Sequence, residues 1–149
     1  MKTVKIINLK NKKARFEFVF IEEYVAGIKL KGTEIKSIRE SKVSFSDSFC
    51  FFKDGEIFLK NLSISEYKNA SGAQHEEKRE RQLLLTKKEL RKLEVKAQDK
   101  GLTIIPYRLF INDRGLAKVV IVLVKGKKLY DKRQAERNKF DKKEMSDLV

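Results

Sequence analysis

His75 and Cys50 are the only histidine and the only cysteine of the chain, so the side chains that most often bind metals or attack substrates occur once each. A zinc site needs several such ligands and a nucleophile needs a neighbouring base; these two residues can supply neither. His75 lies in a polar stretch and is expected at the surface. Cys50, inside Phe49-Cys50-Phe51-Phe52, is expected to be a small buried apolar group rather than a reactive thiol. The adjacent carboxylates Glu22-Glu23 and Glu76-Glu77 read as solvated faces, because neighbours in sequence point apart. Lys53-Asp54-Gly55 and Asn112-Asp113-Arg114-Gly115 are turn chemistry, since no Gly-rich strand-to-helix motif accompanies them. No metal, cofactor or catalytic residue is expected. What the chain has in quantity is cations: 35 Lys and Arg against 21 Asp and Glu, a net charge of +14 over 149 residues. Such a field attracts polyanions, and nucleic acid is the partner class it implies.

The cations gather at both ends. Residues 1 to 15 carry Lys2, Lys5, Lys10, Lys12, Lys13 and Arg15 without one acidic residue, so this arm repels itself and is expected to order only beside an anion. At the other end the apolar run 117 to 124 passes directly into Lys125-Gly126-Lys127-Lys128-Leu129-Tyr130-Asp131-Lys132-Arg133. Beyond it the apolar residues are too scattered to offset an ordering cost of ~1–2 kcal/mol per residue. Residues 126 to 149 are therefore expected to form a basic tail, disordered when free, behind a folded domain of residues 1 to 125. Strand aromatics (Phe16, Phe18, Phe20, Phe45, Phe49, Tyr107) could stack on bases, although aromatics on strands more often fill a core. If ~5 phosphates of a single strand were neutralised, affinity would fall with a log-log salt slope near 3.5. No apolar run approaches the ~18 residues of a spanning helix, and the N-terminus lacks the apolar core and cleavage site of a signal peptide. A cytoplasmic protein without a membrane partner is expected.

The elements that must position these groups read as follows. Phe16 to Phe20 is a first strand, Glu22 to Leu30 a short helix with Gly32 as its stop, and Thr33 to Arg39 an alternating strand. Val43 to Phe45 is extended. Phe49 to Phe52 and Glu56 to Leu59 flank Asp54-Gly55, which supplies the positive φ angles of a type I′ hairpin; Asn61 to Ile64 prolongs the second arm. Residues 65 to 82 read as a long surface loop. Thr86 and Glu89 form a capping box for a helix carrying Leu90, Leu93 and Ala97 and ending at Gly101. Leu102 to Ile105 and Tyr107 to Ile111 flank Pro106, which belongs at a sheet edge or bend, and 117 to 124 closes the sheet. The fold class implied is mainly β with flanking helices: an OB-like antiparallel β-barrel whose openings the helices patch.

Several stretches together closely resemble the SsrA-binding protein family (small protein B, SmpB), the partner of transfer-messenger RNA in ribosome rescue. They are Asn11-Lys12-Lys13-Ala14-Arg15, Ala26-Gly27-Ile28, Gly32-Thr33-Glu34-Ile35-Lys36-Ser37, Asp47-Ser48, Leu83-Leu84-Leu85, Gly101-Leu102-Thr103 and the run Gly126 to Arg133. The resemblance implies a monomeric RNA-binding adaptor, not an enzyme. It would bind the tRNA-like domain of transfer-messenger RNA and bring it to stalled ribosomes, where the tail acts in the decoding region against small-subunit rRNA. Through the RNA, elongation factor Tu and alanyl-tRNA synthetase join the implied partners. Asn11 and Leu84 match family residues that support RNA binding; Lys12, Lys13 and Arg15 suit phosphate contacts beside them, and Glu34 and Lys36 are carried over as RNA-binding with the Gly-Thr-Glu-Ile-Lys-Ser motif. In the tail, Asp131, Lys132 and Arg133 match the motif needed in the ribosome, Lys127 and Lys128 precede it, and Tyr130 is placed to stack on rRNA bases. Two departures stand out: Val25 where the family usually has glutamate, and Phe16 where it usually has histidine. The tail after Arg133 also looks shorter than usual, which leaves its helical phase open. A rival from another class is a general single-strand-binding OB module, with the barrel face as its active part; a nuclease is a distant third.

Overall fold

The computed structural model describes residues 7–70 and 72–126. Its strands are β1 (Asn8–Lys10), β2 (Phe18–Ile28), β3 (Val43–Ser44), β4 (Phe49–Lys53), β5 (Glu56–Lys60), β6 (Ser63–Ile64), β7 (Arg81–Leu84), β8 (Leu102–Ile111) and β9 (Ala117–Gly126); its helices are α1 (Ala14–Glu17), α2 (Gly32–Arg39) and α3 (Lys87–Lys96). The main sheet runs β1-β8-β4-β5-β7-β2-β9, and β8 also pairs with β9. That last pairing closes six antiparallel strands into a barrel, with β1 laid along β8. The OB-like architecture expected from the strand pattern is thus present.

The barrel is organised on β9, which pairs with β2 on one side and β8 on the other. Val119, Ile121 and Leu123 point into the core with Ile57, Leu59, Leu83 and Leu109. Val120, Val122 and Val124 pack on the opposite face with Ala14 and Ile105, under Phe18, Phe20, Tyr107 and Phe110. Burial on both faces is why this segment reads as a continuous apolar run and not as an alternating one. The two longer helices do patch the barrel: Ile38 of α2 and Leu93 of α3 are both fully buried in the core. Thr86 and Glu89 cap α3 reciprocally, Glu89 N donating to Thr86 Oγ1 at 3.2 Å and Thr86 N to Glu89 Oε1 at 3.3 Å. The β4–β5 hairpin turns at Asp54 (φ 53°) and Gly55 (φ 78°), as Asp-Gly predicts.

Four expectations are overturned. Glu22 to Leu30 is not a helix but most of β2: Tyr24, Ala26 and Ile28 are buried at a spacing of two, and nine residue pairs with β9 outweigh the local helix preference of Glu22, Glu23 and Ala26. Thr33 to Arg39 is not a strand but α2, which starts at Gly32 and buries Glu34, Ser37 and Ile38 at helical spacing. Asn61 leaves the hairpin with φ 65°, and Ser63–Ile64 pairs with Val43–Ser44 in a separate two-stranded sheet instead of prolonging β5. The expected loop of residues 65 to 82 ends inside β7, whose first residue, Arg81, turns its charge inward. The N-terminal arm is ordered in part as well, since Asn8, Leu9 and Lys10 pair with Phe110, Leu109 and Arg108. Pro106 sits where the β8–β9 register shifts, between Pro106 and Arg108; a bulge accommodates a residue without an N–H inside an interior strand.

Candidate nucleic-acid interface

The basic motif at residues 11 to 15 is held to the barrel by its backbone and by several of its side chains. Asn11 N donates to Tyr107 O at 2.7 Å, and Asn11 Nδ2 donates to Pro106 O at 3.1 Å. That carbonyl lies at the bulge of β8. Ala14 follows in α1 and is buried against Ile105, Val120, Val122 and Val124. The small side chain lets the turn lie flat on the sheet, and Lys12 and Lys13 between these anchors are exposed. Two ammonium groups are therefore displayed on a fixed rim without an acidic residue between them.

Arg15 extends this surface. Its guanidinium lies 4.6 Å from the Phe20 ring centroid and 5.0 Å from that of Tyr107, and Nε donates to the Tyr107 hydroxyl at 3.1 Å. The two rings meet edge to face at 5.0 Å. Along the same strand Arg108 lies 5.0 Å from the ring of Phe110. Planar cations ordered on aromatic faces keep their charge while losing little further entropy on binding a phosphate. The sequence pattern offered Phe20 and Tyr107 only as strand aromatics; their pairing around Arg15 depends on β2 and β8 lying on either side of β9.

The other residues expected at an RNA surface are dispersed. Leu84 is on β7, separated from β8 by β2 and β9, and is 48% exposed. It packs over Gly27 of β2, where an added Cβ would come within 3.3 Å of Leu84 Cβ. Val25, 55% exposed, lies on the same strand. Both exposed side chains, Leu84 and Val25, are apolar. Lys36 is on α2, its Nζ 5.4 Å from the ring centroid of Tyr67. Phe16 does not begin a strand but sits in α1, 80% exposed.

Glu34 is corrected outright as a surface contact. It is fully buried, accepting from Lys31 N at 2.7 Å, Arg79 Nη2 at 2.6 Å and Arg81 Nε at 2.5 Å. Burial by itself would raise its carboxyl, but the hydrogen bonds from Arg79 and Lys31 and the charge of Arg81 overturn that and hold it below the ordinary value. Arg81 in turn donates to Leu62 O and Glu77 O. The carboxylate therefore ties α2 to β7 and to the segment before it. His75 is corrected too: it is buried, with Nε2 2.8 Å from Ile64 O and Nδ1 2.8 Å from Thr33 Oγ1. A ring that donates through Nε2 and accepts the threonine hydroxyl at Nδ1 satisfies both contacts. Cys50 is buried as expected, and burial pushes its thiol up. The tail residues Lys127, Lys128, Tyr130, Asp131, Lys132 and Arg133, and the expected disorder of the free tail, lie outside the described residues. Among the described residues no group of three or more His, Cys, Asp or Glu could hold a metal ion, and no helix is long and apolar enough to cross a membrane.

With this geometry in view, comparison with known proteins is decisive. The family described as SmpB protein matches residues 8–149. The chain belongs to the SmpB family. An SsrA-binding protein of Phocaeicola vulgatus is 55% identical over 139 residues, 93% of each chain. One from Thermus thermophilus is 45% identical over 140 residues, 94% of this chain and 97% of that one. A solved SmpB chain, from work described as "tmRNA-SmpB: a journey to the center of the bacterial ribosome", is 48% identical with a TM-score of 0.71, over 80% of this chain and 84% of that one. The fold and the motif series thus agree on one family, and in this chain the Asn11–Arg15 rim is presented on the β8–β9–β2 side of the barrel.

Proposed function

We propose that the chain is a non-catalytic RNA-binding adaptor of the cytoplasm. It binds the tRNA-like domain of transfer-messenger RNA and delivers it to stalled ribosomes for trans-translation. The observation that carries this reading is the rigid Asn11–Arg15 rim: three exposed cations anchored to β8, in a chain whose solved relative comes from work on tmRNA and the ribosome. Phosphate contacts from Lys12, Lys13 and Arg15 set the register of the RNA on the barrel, while the apolar Leu84–Val25 patch offers a separate surface for bases or sugars. Lys36 adds a cation on α2, and Glu34 serves the interface from within by fixing α2.

The work is divided between barrel and tail. β9 runs through Gly126, which pairs with Phe18, and this supports a division close to the expected boundary at 125. The segment from Lys127 onward, with Lys128, Tyr130, Asp131, Lys132 and Arg133, acts in the decoding region against small-subunit rRNA. Deleting residues 127 to 149 leaves affinity for transfer-messenger RNA within about threefold and abolishes tagging on stalled ribosomes. A large loss of RNA affinity on truncation refutes the division. Binding of transfer-messenger RNA no tighter than of an unrelated RNA at moderate salt refutes the adaptor itself, and effective competition by poly-U points instead to a general single-strand binder.

A further inference from the structure

Beside the basic rim lies a groove of about 580 Å³, between the Lys10–Ala14 turn and the Val43–Ser48 segment. We infer that this groove is a pocket for one nucleotide extruded from a loop of the bound RNA. The inference rests on the adaptor reading and adds to it a site, a ligand class and residues outside the basic motif.

The lining has the two components a nucleotide needs. Lys10, Lys12 and Lys13 stand along it, and two aromatic side chains, Phe18 and Phe45, contribute apolar surface. Both rings are half-buried, Phe45 against the core and Phe18 against the outer cluster over β9, so each keeps a fixed position and a solvent-facing part. The volume falls in the range of ~300–1,000 Å³ typical of small-ligand sites, which are mostly apolar with a few placed polar groups. A duplex cannot enter a space of this size, whereas unpaired loop nucleotides are the usual target of sequence-specific RNA recognition, their bases set on aromatic side chains.

The groove also has a polarity. Asp47 and Glu17 line it as well, and carboxylates repel a phosphate running along its whole length. The phosphate therefore sits against the lysines, and the base edge, with its amino and imino donors, faces Asp47 and the hydroxyl of Ser46. The far wall is built in advance. Ser48 Oγ donates to Phe45 O at 2.6 Å, Asn61 Nδ2 donates to Asp47 O at 3.3 Å, and Asp47 holds φ 60°. A wall already ordered in the free protein reduces the ordering cost of binding.

The chain contains no tryptophan, so an introduced indole is a reporter without background. The Phe45→Trp chain, titrated with transfer-messenger RNA, is expected to lose at least half its fluorescence and become shielded from acrylamide. A fully paired RNA duplex of similar length should do neither. Ser46→Trp, on the exposed segment, fills the groove without removing a buried group; it should weaken binding about tenfold, the scale of one stacked base, with an unchanged salt slope, while Ser46→Ala, which gives up only the hydroxyl at the base edge, should weaken it no more than about threefold. Undiminished affinity of Ser46→Trp together with an indole at position 45 that stays open to acrylamide in the complex overturns the pocket and leaves the adaptor standing. Failure of the unsubstituted chain to retain transfer-messenger RNA overturns both.

Discussion

Replacing Glu34 by glutamine separates a structural role from an RNA contact. In the native chain its two oxygens accept from Lys31 N, Arg79 and Arg81, and both Glu34 and Arg81 are fully buried. Glutamine keeps one accepting oxygen, sets an amide N–H against a guanidinium and leaves Arg81 as an uncompensated buried charge. Removing one partner of a buried pair costs ~3–5 kcal/mol, a large share of the ~5–15 kcal/mol that stabilises an ordinary domain. At a few degrees per kcal/mol the midpoint of thermal unfolding should fall by roughly 10–20 °C. Circular dichroism during heating and urea titration give the two readings of stability. Transfer-messenger RNA affinity is then measured at a temperature where the variant is fully folded, beside Lys12→Ala/Lys13→Ala. The expected outcome is a protein of lower stability whose affinity lies within about twofold of the parent. A loss of less than 1 kcal/mol refutes the energetic argument. Full stability with affinity as low as that of the double lysine variant refutes the placement of Glu34 as scaffold.

Three other outcomes follow from the same structure. Lys12→Ala/Lys13→Ala should weaken binding of all RNAs together and lower the log-log salt slope by about 1.4 to 1.8, two phosphates' worth of released counterions, in a nitrocellulose-filter or fluorescence titration across salt. Acid should unfold the protein through depressed carboxyls. Glu22 is held down to about 2, chiefly by the hydrogen bond from Lys96, and Glu34 also lies below its ordinary 4.5; their stabilisation is complete above the unfolded value and is lost as pH falls from about 4.5 towards 2, so urea midpoints should be flat above pH 5 and drop below it, with a shallower drop in Glu34→Gln. Gly27→Ala brings a methyl to 3.3 Å from Leu84 Cβ, and should lower stability by about 1 kcal/mol while displacing Leu84, read as a selective loss of RNA affinity against an unchanged salt slope.

The parts of this fold legible in the sequence are those whose signals are local or symmetric about one face. Asp54-Gly55 specifies its hairpin, Thr86 with Glu89 specifies the start of α3, and the run 117 to 124 announces the strand that closes the sheet. Two of the segments misread share a different cause, which is charge facing inward. Thr33 to Arg39 alternates polar and apolar only if Glu34 is counted as a surface residue; once Glu34 is buried with Ser37 and Ile38 the helical period is plain. Arg81 hid β7 inside a charged cluster for the same reason. Its partner is 47 residues away, so neither burial can be inferred from its own neighbourhood. The same network explains His75, whose contacts come from Thr33 on α2 and Ile64 on β6.

The basic motif was legible as chemistry but not as a surface. Lysines at 12 and 13 and arginine at 15 announce affinity for phosphate, and the spacing alone cannot say that the Asn11 side-chain amide donates to Pro106 O. That bond makes Asn11 a positioning residue. Removing it releases the turn from the bulge of β8, so Asn11→Ala should act on RNA affinity by loosening Lys12 and Lys13 together. In a double-mutant cycle with the lysine pair its effect should therefore be far from additive, whereas a direct hydrogen bond from Asn11 to RNA would give nearly independent losses. The bulge that accommodates Pro106 is then more than a tolerated irregularity, because it aims the carbonyl that fixes the rim.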